Sequence, residues 1–156
     1  EFPRMIYRIF LVILLCCTPS VSAIEKIEAD PKGVQLCESF LKACQIEDPQ
    51  ARLEAILPLL HKSMLTRDRK DLDRNVKEFS YKKACGAARL YALPVEIYEV
   101  HKGNVTTVGF KETAERGRSD KYFVSKKPGV EGRPAPLHVF WPEDGGEPKL
   151  INVGSL

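Results

Sequence analysis

The sequence carries no large excess of charge of either sign. Its 24 Lys and Arg residues are nearly balanced by 21 Asp and Glu residues, so the formal net charge is +3. Nucleic-acid binding usually depends on a concentrated basic stripe, which this composition does not predict, so nucleic acid is not an expected partner. With 44% hydrophobic residues, 11 Pro and 10 Gly among 156 residues, neither a collagen-like chain nor general disorder fits. The length is typical of one globular domain.

Catalytic and metal-binding signatures are also missing. The sequence has no CxxC motif and no Cys/His pair at the spacing of zinc ligands, so neither a metal site nor a cofactor is expected. Hydrolytic and metal-dependent enzymes usually carry a recognisable nucleophile, base or ligand spacing. Their absence favours a non-catalytic protein over an enzyme.

The N-terminal region is typical of a signal peptide over residues 5–23. Arg8 supplies the positive charge of its first part, and residues 9–17 form its apolar core. Val21-Ser-Ala23 then provides the small residues that signal peptidase accepts. We therefore expect cleavage after Ala23.

This signal peptide predicts an exported protein, either periplasmic or secreted. A membrane-spanning helix needs about 20 apolar residues, and Thr-Pro-Ser at residues 18–20 interrupts the apolar run before that length. No stable transmembrane segment is expected after cleavage. Residues 1–4 are interpreted as an upstream remnant, and residues 24–156 as a single α+β domain. Lipid anchoring through Cys17, which follows a loose lipobox, is a minor alternative.

Three cysteines remain in the predicted domain: Cys37, Cys44 and Cys85. The first two are seven residues apart on one predicted helix, which separates them by about 10 Å, more than the roughly 7 Å that a disulfide spans. Both Cys37 and Cys44 face the same side of that helix. The preferred disulfide is Cys44–Cys85, with Cys37–Cys85 as the alternative, and three buried thiols as the remaining interpretation.

The first part of the domain predicts three helices. Asp-Pro pairs at residues 30–31 and 48–49 each combine an N-cap residue with proline at the first helical position, and apolar residues follow at helical spacing. The first helix is expected over residues 31–46, and Pro58 is expected to kink or split the second. The alternating charges of residues 67–74 are typical of a solvated helical face that leads into the third helix.

The second part of the domain predicts an antiparallel sheet. After Pro94 the apolar spacing changes from helical to alternating, and turn residues recur at short intervals. The expected fold class is therefore α+β, with three N-terminal helices packed on a sheet of four to five strands. Strands are expected near residues 95–101, 105–114, 121–126, 137–141 and 150–153, and a turn at 116–119.

Three passages support a resemblance over residues 30–156: Phe40-Leu-Lys-Ala43, Leu59-Leu-His-Lys-Ser-Met64 and Pro148-Lys-Leu-Ile-Asn-Val-Gly154. In these passages and in the order of its helices and strands, the chain resembles exported bacterial proteins of unknown function. These proteins belong to the nuclear-transport-factor-two-like superfamily, whose fold is also called the cystatin-like α+β cone. This resemblance implies a curved, cone-shaped sheet whose cavity is also lined by the helices. The superfamily includes isomerases, dehydratases and toxin-immunity proteins, so the fold alone does not give a function.

Three residues are candidates for a catalytic base. Glu96 and Glu99 interrupt an apolar strand, and a carboxylate facing an apolar cone would have a raised pKa. His138 would need a nearby carboxylate or hydroxyl group to act as a general acid–base. The other histidines, His61 and His101, are expected at the surface.

Tyr98, Tyr122 and Trp141 are the candidate binding residues, because aromatic faces with polar tips suit a small organic ligand. The leading functional hypothesis is an exported, non-catalytic binding domain that uses the cone cavity or a sheet face for a small apolar or aromatic molecule, or for a protein partner. An isomerase- or dehydratase-type enzyme is the alternative, and a periplasmic immunity or inhibitor protein is a third hypothesis. A homodimer that pairs sheet faces is also expected.

Overall fold

The computed structural model describes residues 23–156, and its first helix begins where the sequence predicts it. Helix α1 spans Pro31–Cys44, and the side chain of Asp30 accepts a hydrogen bond from the Lys32 amide at 2.8 Å. This contact satisfies one of the free amide groups at the helix start. Cys17 and all of the predicted signal peptide except Ala23 lie outside the described residues. Within residues 23–156, no helix has the length and apolar character needed to cross a membrane.

The second helix is shorter than its apolar pattern. Helix α2 spans Pro49–Ile56, with Asp48 as the N-cap that accepts the Ala51 amide at 2.7 Å. A 3₁₀ turn, Leu57–Leu59, follows and contains Pro58. The helix ends before this proline because proline lacks an amide hydrogen and obstructs the preceding turn. The prediction of a break at Pro58 is confirmed.

The charged segment 67–74 is not the helical face that the sequence predicts. Most of it forms a turn, in which Thr66 Oγ1 donates to Asp68 and Arg69 has a φ of 59°. Local side-chain hydrogen bonds of this kind compete with helix formation. A π-helical turn, Val76–Tyr81, leads into helix α3, Lys82–Ala87.

Within residues 23–156, six antiparallel strands form one sheet, compared with the four to five expected. The sheet order is β1-β2-β4-β5-β6, and β3 also pairs with β4. The additional strand, β1, has only two residues and precedes α1, so no alternation could reveal it. The strands are β1 Lys26–Ile27, β2 Ile97–His101, β3 Val105–Val108, β4 Glu115–Val124, β5 Ala135–Pro142 and β6 Lys149–Asn152.

Strand β4 begins at residue 115 and not near residue 121, so the prediction of a turn at residues 116–119 is wrong. Residues 115–118 pair with β3, and residues 117–124 pair with β5. A Cβ atom on Gly117 would lie 2.3 Å from the carbonyl oxygen of Trp141 and 2.6 Å from the Phe140 ring. This glycine marks a close approach between strands, not a turn.

The core lies between the helices and one face of the sheet. Phe40 and Leu41 of α1 are fully buried, as are Leu137 and Val139, which alternate along β5. Phe140 has the opposite phase in β5 and is also fully buried. It packs against His61, which positions the site described next.

Candidate functional site

A groove with a volume of about 590 Å³ opens between the turns that follow α2, the start of β4 and the hairpin that joins β5 to β6. We call it the His61 groove. It combines leucine and proline side chains with charged groups of both signs. Its lining residues are Leu57, Pro58, Leu60, His61, Lys62, Leu65, Arg69, Glu115, Pro142, Asp144, Gly146, Glu147 and Lys149.

His61 is held by hydrogen bonds at both ring nitrogens and is only 2% exposed. Its Nε2 lies 3.0 Å from Oε2 of Glu115, and its Nδ1 lies 2.8 Å from Oγ of Ser63. The Ser63 amide also donates to Nδ1, at 3.1 Å. Because an amide can only donate, Nδ1 is an acceptor, and in the neutral ring the hydrogen is on Nε2 and is donated to Glu115.

The backbone and an aromatic ring fix the position of this imidazole. The His61 amide donates to the carbonyl oxygen of Leu150 in β6 at 2.8 Å. The ring of Phe140 lies edge-on, with 5.1 Å between the ring centroids. Since a Cβ on Gly117 would collide with that phenyl ring, the glycine in β4 indirectly sets the space that His61 occupies.

Burial and charge act in opposite directions on the pKa of His61. Desolvation disfavours the imidazolium and lowers the pKa below its ordinary value, while the hydrogen bond and negative charge of Glu115 raise it, and the net direction is downward. Lys62 reinforces the lowering, since its Nζ lies 3.2 Å from the same Glu115 oxygen. His61 is therefore a neutral ring at pH 7.

The prediction that His61 lies at the surface is wrong. Residues 61–63 supply a local signal, since a histidine at the start of a turn can accept the amide hydrogen two residues later. Nothing local points to Glu115, which lies 54 residues further along the chain. His101 is half-buried and contacts Glu99 at 2.6 Å.

The predicted catalytic candidates are not brought together. Glu96 is exposed. Glu99 pairs with Lys26 and His101, and these hydrogen bonds lower its pKa, which is opposite to the raised pKa that a carboxylate base would need. His138 is half-buried, and desolvation together with the charge of Lys121 lowers its pKa.

The predicted binding residues also lie apart, and none of them lines the His61 groove. Tyr98 is 67% exposed. Tyr122 is fully buried, and its hydroxyl group accepts the Asp30 amide at 3.3 Å. Trp141 packs against the core, and its buried Nε1 has no hydrogen-bond partner within the described part of the chain.

No protein-family model matches the chain, and the searches of curated proteins and of solved structures found no match. Within residues 23–156, no group of three or more His, Cys, Asp or Glu side chains is arranged to hold a metal ion. The arrangement of the groove itself is therefore the basis for the functional proposal.

Proposed function

We propose that this protein is a non-catalytic binding domain that holds a small organic anion, with an apolar body and one carboxylate, in the His61 groove. The supporting observation is that both ring nitrogens of His61 are already occupied by groups of the same chain. A general base needs a nitrogen that can receive a proton from the substrate. The imidazole is instead a rigid wall of the groove, tied to Glu115 and Ser63.

The charge balance of the groove favours an anionic ligand. The carboxylates of Glu115 and Glu147 each pair with a lysine. Lys149 donates to the carbonyl oxygen of Pro58, a neutral partner that does not balance a positive charge. Among residues 23–156, Arg69 and Lys149 have no carboxylate partner, and Asp144 has no cationic partner, so two cations face one anion. The apolar lining would contact the body of the ligand.

Binding of an anionic aromatic probe tests this proposal. 1-Anilinonaphthalene-8-sulfonate is titrated by fluorescence and then displaced with 4-phenylbutyrate or with the uncharged 4-phenylbutanol. We expect the carboxylate to displace the probe more effectively, and R69A to weaken binding about tenfold, which corresponds to the loss of one favourable charge contact.

R67A is the matched control, because Arg67 is an exposed arginine of the same turn that does not line the groove. Its affinity should equal that of the unmodified protein. Equal weakening by R67A and R69A, or equal displacement by the alcohol and the carboxylate, would contradict recognition of an anion in this groove.

A second function, acyl transfer, is favoured by the short distance of 2.8 Å between Ser63 Oγ and Nδ1 of His61. Ser63 would attack the acyl carbonyl carbon while Nδ1 takes its proton and Glu115 stabilises the imidazolium. The bond between the acyl carbon and its leaving group would then break, and the imidazolium would give the proton to that leaving group. The Ser63 amide competes for the same lone pair of Nδ1, and so we rank this function second.

Hydrolysis of 4-nitrophenyl acetate separates the two functions. A rate that falls at least tenfold in S63A and not in S39A, a serine outside the groove, would support acyl transfer. Equal rates in the three proteins support binding alone.

Export and the superfamily remain proposals from the sequence. Residues 30–156 follow the helix-then-sheet order of the nuclear-transport-factor-two-like cone, which supports that assignment, and the homodimer and the immunity or inhibitor role depend on it. The intact mass of protein isolated from the exported fraction tests the export proposal. A chain that begins at Ile24 supports it, and a retained signal segment contradicts it.

A further inference from the structure

A β-bulge lies where strands β2 and β3 meet along the same edge of β4. Three residues, 102–104, separate the paired residues His101 and Val105, whereas only two residues of β4, 119–120, separate the residues that they pair with. One extra residue on one strand is the definition of a β-bulge. Bulges interrupt the hydrogen-bond ladder and are frequent beside functional sites.

The fully buried carboxylate of Asp120 organises this bulge. Its Oδ1 accepts the Gly103 amide at 3.0 Å. The same carboxylate binds the guanidinium group of Arg118 through two atoms, with Nε 2.9 Å from Oδ1 and Nη2 2.9 Å from Oδ2. A buried charge is costly unless it is paired and hydrogen-bonded. Asp120 therefore fixes both the bulge and the orientation of Arg118.

A cavity of about 630 Å³ opens at the bulge, and we call it the bulge cavity, between residues 102–104 and residues 118–121. Arg118 and Lys121 both line it, although a separation of three residues places them on opposite faces of β4. The Arg118 side chain is 37% exposed. A guanidinium group has five N–H donors, and Asp120 accepts only from Nε and Nη2. Within residues 23–156, Nη1 of Arg118 has no hydrogen-bond partner.

The charges at the bulge cavity favour an anion. Lys102 also lines it and pairs with Glu25, with 2.8 Å between Nζ and Oε1. Arg118 is paired with Asp120, which is fully buried. Lys121 is exposed and has no carboxylate partner in the described part of the chain. One positive charge therefore remains for a ligand, next to an oriented guanidinium group with free donors.

We propose that the bulge cavity is a second ligand site, which binds a phosphate group through Arg118 and Lys121. The planar fork of an arginine fits two oxygens of one phosphate, and a lysine ammonium adds a compact charge. A guanidinium group that is already held in place loses little freedom on binding. The bulge cavity shares no lining residue with the His61 groove, so this site is independent of the carboxylate ligand proposed there.

Inorganic phosphate and phosphate monoesters both carry this group. The exposed side chains of Ile24 and Val105 also line the cavity and would contact the organic body of an ester. Separate titrations with inorganic phosphate and with phenyl phosphate distinguish the two sources. Tighter binding of phenyl phosphate identifies an ester as the ligand, and equal or tighter binding of inorganic phosphate identifies the free ion.

The test uses the full chain labelled with nitrogen-15, titrated at constant ionic strength and followed by two-dimensional NMR. We expect saturable shifts of the amide resonances of Gly103, Ser119 and Lys121. K121A should weaken phosphate binding about tenfold, which corresponds to the loss of one charge contact. K127A is the matched control, because Lys127 is an exposed lysine shortly after β4 that does not line the cavity. Its affinity should equal that of the unmodified protein.

R118K separates the oriented fork from the charge. Lysine keeps a positive charge beside Asp120 but lacks the planar pair of donors, so phosphate affinity should fall at least about tenfold. Circular dichroism checks that R118K is folded. K121A keeps the test decisive if R118K does not fold, because Lys121 is exposed and makes no side-chain hydrogen bond within residues 23–156.

R69A, which changes the His61 groove, should leave phosphate affinity unchanged. Equal phosphate affinity in K121A and K127A would overturn the proposal. So would the absence of saturable shifts, or shifts limited to Ser63 and Glu115, since these would place the phosphate outside the bulge cavity.

Discussion

The His61 groove contains a buried imidazole, and helix α3 carries the half-buried thiol of Cys85, and the surroundings of these two groups affect their chemistry in opposite ways. At His61, desolvation dominates and lowers the pKa, so the ring stays neutral while Glu115 and Ser63 occupy its nitrogens. At Cys85, the hydrogen bond from Cys44 and the charge of Arg52 outweigh burial and lower the pKa to about 7, which favours the thiolate. Both pKa values are lowered, yet only the second shift produces the reactive form.

This difference shows that the direction of a pKa shift has to be considered together with the chemistry of the group. A lowered pKa removes the positive charge of an imidazole, whereas it creates the negative charge of a thiol. A free nitrogen is needed for histidine catalysis and an accessible sulfur for thiol chemistry. Four predictions test this comparison between His61 and Cys85.

The largest effect is expected from oxidation of the free thiols of Cys44 and Cys85 to the disulfide that the sequence predicts. A Cys44–Cys85 disulfide closes a loop of roughly 40 residues, which in the chain-entropy model raises the free energy of unfolding by about 4 kcal/mol. Urea unfolding of the oxidised and reduced proteins, followed by circular dichroism, measures the difference. C37A should retain it and C85A should lose it, while an unchanged urea midpoint on oxidation would show that the bond does not constrain the chain.

The next largest effect concerns His61 itself. H61A removes a buried ring and its three hydrogen bonds, and should lower the free energy of unfolding by about 3 kcal/mol. H61N places an amide group near the Nδ1 position, where it can still accept the Ser63 amide, and should lose less than H61A. Urea unfolding checks both variants. A cost of under about 0.5 kcal/mol for H61A would mean that the ring is not the fixed wall that the comparison assumes.

Acidification should destabilise the protein through the same histidine. The pKa of His61 is lower in the folded chain than in the unfolded chain, so the unfolded state binds more protons as pH falls through the unfolded value near 6.5. Its contribution is fully present above that value and is lost as pH falls toward the folded pKa. Each such histidine adds a slope of at most about 1.4 kcal/mol per pH unit.

Thermal unfolding between pH 7 and pH 5 measures this slope. The pKa of His138 is also lowered, so H138N should remove part of the slope and H61N another part. A stability that rises on acidification would reverse the sign assigned to His61.

The smallest effect is expected from Y81F. Because the Tyr81 hydroxyl group helps to lower the pKa of Cys85, its loss should raise the midpoint of the alkylation profile of Cys85. The change in stability should be small, since Tyr81 is only half-buried. Y98F, which alters an exposed tyrosine on β2, is the matched control. An unchanged midpoint in Y81F would show that Cys44 and Arg52 alone activate the sulfur.

Several parts of the fold were predictable because their causes are local. Asp30 and Asp48 start helices through contacts that span two or three residues, and Pro58 ends one by its own covalent structure. The alternation of residues along β5 correctly places Leu137 and Val139 on one face of the sheet and Phe140 on the other. The preferred Cys44–Cys85 disulfide is not formed, because Cys37, Cys44 and Cys85 are all free thiols.

Other parts depended on contacts between distant segments. The glycine at position 117 was interpreted as a turn because glycine is common in turns, but the approach of Phe140 and Trp141 is what requires it. His61 was expected at the surface because a polar residue beside Lys62 gives no local sign of burial. Apart from Ser63, its partners come from β4, β5 and β6.

By itself, the sequence determined the α+β order, the helix starts and the position of the break at Pro58, since these depend on backbone chemistry and on periodicity within a few residues. Tertiary structure alone decided which polar residues are buried together. Glu115 reaches His61 only because the antiparallel pairing of β4 begins six residues earlier than local alternation predicts. A hydrogen bond between segments 54 residues apart depends on strand register. Register is set by packing across the whole sheet, which no local pattern records.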